Sequence, residues 1–115
     1  MRAHVDLAQL LAHTEDRDSR LASFALLALG VAESLAVGAL SATTAVRDFF
    51  NADNCLFVDR SLDDDTANEI MSRGVQLADL SDALPGDVAQ RELQSEIAAI
   101  RAQCLALLQA ERLAA

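Results

Sequence analysis

Carboxylates carry most of the chemistry open to this chain, with 18 acidic residues against 9 basic ones. Glu33 stands out among them. It is the only charged residue from Leu21 to Val46, in the run LASFALLALGVAESLAVGALSATTAV. A carboxylate buried in such a run must be paired, hydrogen-bonded or protonated. One expectation is therefore a small-ligand or metal-dependent protein that uses Glu33 inside a helical bundle, with Glu92, Glu96 or Asp79 as helpers. The plainer expectation is a helix face that reaches solvent, or an ion pair with an arginine such as Arg91 or Arg101.

The remaining reactive side chains form no recognisable set. His4 and His13 are nine residues apart and lack partners at metal-ligand spacing. No Glu is followed by His three residues later, so a di-iron bundle site is not encoded. Asp63, Asp64 and Asp65 follow Ser61 and Leu62, which reads as a capping serine and acids at a helix start. A magnesium site would need a second acidic motif around a large cavity. Cys55 and Cys104 are far apart with no C-x-x-C spacing, which suits free buried thiols in a reducing compartment. There is no phosphate loop, nucleophile elbow or tandem repeat. The expectation is no metal, no cofactor and no catalytic residue, hence a protein that leans away from catalysis.

The elements that would position these groups read as helices. The central run is too long and too rich in Ala and Leu for a strand. Thr14 is the expected N-cap. An unbroken helix from Glu15 to Phe50 would be about 54 Å long, so a kink is expected near Gly30, Gly38 or Ser41. Leu21, Phe24, Ala28, Val31, Leu35 and Ala42 follow one face, while Leu26, Leu29, Val37 and Leu40 lie elsewhere. Gly30, Ser34 and Gly38 recur every four residues, a spacing that lets a second helix approach closely. A membrane span is weighed and set aside. The apolar residues favour insertion by roughly 3–5 kcal/mol, and a mid-helix acid costs roughly 2.5–3.5 kcal/mol.

Before the central run, Val5–His13 reads as a short helix. After it, Phe49-Phe50-Asn51-Ala52-Asp53-Asn54 reads as a helix end and a compact connector whose rings plug the bundle. Ala67, Ile70, Met71, Gly74, Leu77 and Ala78 make a core face, with a bend expected near Gly74. Pro85-Gly86 opens the most regular helix, to about Leu113. There Leu93, Ile97, Ile100, Cys104 and Leu107 alternate in steps of four and three, a bundle seam. Asp87 stands four residues before Arg91 in the favourable order for an ion pair.

At 115 residues, 52% hydrophobic and 3% aromatic, the chain is expected to be one domain, residues 1–115. The expected fold is all-α, an antiparallel helical bundle of about four helices with a long, apolar central helix. A net charge of −9 argues against nucleic acid and against an anionic membrane surface. Asp6 interrupts what would be the apolar core of a signal peptide, so the cytoplasm is the expected compartment. Apolar surface in excess of what one short bundle hides points to a homodimer. Its candidate surfaces are the Gly30–Ser34–Gly38 face and the Leu93–Leu107 seam. The functional expectation is a non-enzymatic interaction or regulatory module.

Overall fold

The apolar middle of the chain folds as two helices rather than one. The computed structural model describes residues 5–14 and 16–114, the last three by backbone alone; His4 and Glu15 lie outside it. Among the described residues every regular element is helical. In order they are α1 Leu7–Leu10, α2 Arg17–Ala36, α3 Ala42–Asp48, α4 Ala52–Phe57, a π-helical turn Val58–Leu62, α5 Asp65–Val75, α6 Leu77–Ala83 and α7 Gly86–Ala114.

The break after α2 falls at two of the three expected positions. Gly38 adopts φ +78°, which an L side chain resists. The N–H groups of Ala39 and Leu40 both donate to the Ser34 carbonyl, at 2.9 and 3.2 Å. Ser41 then caps α3 by accepting from Thr44 N–H. Gly30 lies inside α2 and causes no kink.

Two caps differ from expectation. Asp16, not Thr14, caps α2, accepting from Ser19 N–H at 3.0 Å. Thr14 offers its carbonyl to Arg20 Nη1 at 2.8 Å instead. Asp64, not Ser61, caps α5, accepting from Ala67 N–H at 2.9 Å. In both places several good capping residues compete within a few positions, and the winner is the one whose neighbours behind it leave helical geometry. Behind Asp64 that neighbour is Asp63, at φ +46°.

The connector is more ordered than a turn. Asn51 caps α4, and Asn54 is buried where a turn residue would be solvated. Its Oδ1 accepts from Leu7 N–H at 3.1 Å, and its Nδ2 donates to the carbonyls of Val5 and Phe49, both at 2.8 Å. One amide thus ties the first helical turn to the α3–α4 corner and satisfies backbone groups that α1 leaves open.

The rings do plug the fold. Phe24 stacks on Phe49 at 6.3 Å, and Phe49 meets Phe50 edge-on at 5.0 Å. Phe50 lies over Gly74, where an added Cβ would be 2.0 Å from its Cδ1. The bend expected at Gly74 comes just after it, between Val75 and Leu77. Gly74 itself is inside α5, and its role is to leave room for a ring.

The helix α7 is the floor on which α2, α5 and α6 pack. It runs antiparallel to α2. Glu33 near the end of α2 bonds to Arg101 in mid-α7, while Glu111 at the far end of α7 feels Asp18 and Asp16 at the start of α2. Desolvation first, and then those two acids, hold the Glu111 carboxyl above its usual range. Ile97, Ile100, Cys104 and Leu107 are buried and Leu93 partly so, giving the expected seam. The expected Asp87–Arg91 pair is not formed: no ion pair joins them among the described residues.

Candidate interaction surface

The expected carboxylate site does not assemble. Glu33 lies on the exposed side of α2, its side chain 49% accessible, and bonds through Oε1 to Arg101 Nε. Burial is the expectation there because its sequence neighbours are apolar. Those neighbours divide between a covered and an uncovered face of α2, and Glu33 falls on the second. Glu92 and Asp79 are exposed on other elements. Glu96 is bound to Arg73 Nη1 at 2.9 Å, and Arg73 also holds Glu69 at 3.2 Å. No three Asp, Glu, His or Cys side chains come together as a ligand set among the described residues.

The surface around Glu33 is better defined. Leu21, Phe24, Ala25, Ala28, Ala32 and Leu35 turn one face of α2 into the core. At 100° per residue, the opposite side carries Leu26, Gly30 and Glu33, and Val37 follows at the cap. Leu26 is 59% exposed on the chain's most apolar helix, and Val37 at its cap is 77% exposed. By length and composition α2 could cross a membrane, yet only 33% of its apolar window is buried inside the fold. The core helix of a soluble protein is mostly covered; this one is not.

The uncovered side of α2 continues onto α7. Ala22, Leu26, Leu29 and Glu33 follow one another at steps of four, three and four, and so form a row. Ala98, Arg101, Leu105 and Leu108 form a matching row on α7, where Leu105 is 37% exposed. The Glu33–Arg101 bond joins the rows at one end. Antiparallel packing then brings the Leu26 stretch beside the Leu105 stretch. Leu26 and Leu105 are the exposed large apolar members of these rows, while Leu29 and Leu108 are partly buried against the core. Exposed apolar residues gathered on one face mark contact surfaces.

The glycine stripe is not the helical ridge its spacing suggested. Gly38 lies beyond α2 in a left-handed turn, and Ser34 is only half-buried. Gly30 is exposed, with nothing within 4 Å of a Cβ built on it. The seam Ile97, Ile100, Cys104 and Leu107 is filled by the chain's own core, so it is a close-packing face within the subunit and not a free surface. Leu105, next to that seam, is an exposed position that the seam's periodicity does not single out. The signal was there in the Ala98–Leu108 spacing, one helical step round from the stronger Leu93–Leu107 pattern.

Comparison of this chain with protein-family models, curated proteins and solved structures finds no match. The functional reading therefore rests on the site alone.

Proposed function

We propose that the protein is a non-enzymatic interaction module that works as a homodimer in the cytoplasm, built on the uncovered α2/α7 face. The observation that carries this is the contrast on α2: an apolar helix with one face in the core and Leu26 and Val37 left bare on the other. A second copy is the occupant whose chemistry fits best. The face presents Leu26 and Leu105, and its one ion pair is already neutral, whereas the chain as a whole carries −9. Two copies can meet there without bringing their excess acids together. A two-fold arrangement sets the α2/α7 pair of one subunit against that of the other, so the antiparallel bundle of four long helices arises in the dimer. Its outer faces, acidic and free, remain for a partner protein.

The test is mass in solution. Light scattering at micromolar concentration should give twice 12.3 kDa. The double variant Leu26→Glu, Leu105→Glu should give one chain of unchanged helicity. A wild-type mass of one chain overturns the proposal. So does a need for detergent to keep the protein dispersed, which would assign the bare face to lipid.

A further inference from the structure

A second feature lies away from the α2/α7 face. The segment after α1, the first turns of α2, the end of α4 and the π-helical turn border an open, shallow cavity of about 420 Å³. Leu11, Ala12 and Phe57 give it an apolar wall; Thr14, Arg20, Arg60 and Ser61 give it a polar one. The size falls within the range of small-molecule sites, roughly 300–1,000 Å³, while the lining is more polar than apolar, which suits a charged ligand.

The charges around it are arranged unevenly. In a chain with twice as many acids as bases, four arginines among the described residues pair with carboxylates: Arg17 with Asp18, Arg47 with Asp48, Arg73 with Glu69 and Glu96, Arg101 with Glu33. Arg60 has no carboxylate partner among the described residues. Of the acids close to it in the fold's elements, Asp16 bonds Ser19, Asp64 bonds Ala67 N–H, Asp59 bonds Asn68 and Asp18 bonds Arg17, while Asp63 lies exposed at the end of the turn. Arg20 is held in the wall by its bond to the Thr14 carbonyl.

The backbone that delivers Arg60 and Ser61 is also exceptional. They sit in the π-helical turn Val58–Leu62, which ends on Asp63 at φ +46°. Arg17 braces this turn from α2, donating to the carbonyls of Leu62 at 2.7 Å and Asp63 at 3.0 Å. Short π-helical segments and non-glycine residues at positive φ cost energy and concentrate at binding sites.

We infer that this cavity binds a small organic anion, with its acidic head on Arg60 and the Thr14 and Ser61 hydroxyls and its apolar body against Leu11 and Phe57. The guanidinium fork suits a carboxylate. Backbone amide NMR of the full chain, titrated with hexanoate, hexanol or inorganic phosphate, tests this. Hexanoate should shift the signals of Thr14 and Ser61 saturably, with the other two at least about tenfold weaker. Arg60→Gln should weaken hexanoate about tenfold, while Arg91→Gln, an exposed arginine on α7, should leave it unchanged. Three results overturn the inference: no saturable shift with hexanoate, phosphate binding as tightly as hexanoate, or equal effects of the two substitutions. Because Arg60 is exposed, its loss should leave the fold intact, which circular dichroism checks.

Discussion

A Cβ added to Gly74 would meet Phe50 Cδ1 at 2.0 Å, while one added to Gly30 would meet nothing within 4 Å. The same substitution should therefore act in opposite directions. Gly74→Ala forces a ring in the core to move and should destabilise by about 2–3 kcal/mol. Gly30→Ala adds helix propensity on an open surface and should stabilise by roughly 0.5–1 kcal/mol. Urea midpoints measured at constant protein concentration check both. The thiols differ in a similar way. Burial pushes Cys104 up to about 11 and also raises Cys55, which is only partly covered. Only thiolate reacts, so at pH 8 a maleimide should label Cys55 first and Cys104 on the timescale of unfolding. Equal labelling rates in the native protein would contradict this. At this scale the sequence was only partly legible. Arg101 could be named as a partner for Glu33, because an acid in an apolar run calls for a counter-charge and the C-terminal helix offers arginines. The Phe50–Gly74 contact could not, because nothing local in either segment records which residue of the other it will touch.

Helix ends decide how each element answers to pH. Bonds from Ser19, backbone N–H first, hold the Asp16 carboxyl below its usual range. A carboxylate depressed in the folded state contributes stability above its unfolded pKa and loses it as pH falls through the folded value. Wild type should therefore lose more stability than Asp16→Asn on acidification below about pH 4, where unfolded aspartates titrate. Thermal melts of the two proteins from pH 7 to pH 3 should converge; melts that stay parallel would show that the cap works without its charge. Elements were the most legible scale. Pro85-Gly86 and the four-three alternation from Leu93 to Leu107 fix α7 because punctuation and periodicity agree. The caps shifted by two or three positions where Ser, Thr and Asp crowd together, at Thr14–Asp16 and Ser61–Asp64. The π-helical turn leaves no periodic trace in so few residues.

The whole molecule measures 44 × 33 × 22 Å, thin enough that α2 has cover on one side only. If a second copy supplies the rest, stability depends on concentration, and the thermal midpoint should rise between 1 and 100 μM by mass action. The Leu26→Glu, Leu105→Glu variant should show a flat midpoint over that range. The sequence showed that α2 carries more apolar surface than a short bundle hides. It could not show which face was left over, because that depends on where α7 lies across it. Phe50 has a longer reach than its size suggests, since its ring joins the α3–α4 corner to α5. Gly74→Ala should be partly rescued by Phe50→Leu, which a double-mutant cycle would read as a coupling of about 1 kcal/mol or more. In hereditary terms the two positions are a single character: a lineage that keeps this architecture can enlarge one only in generations that have already trimmed the other.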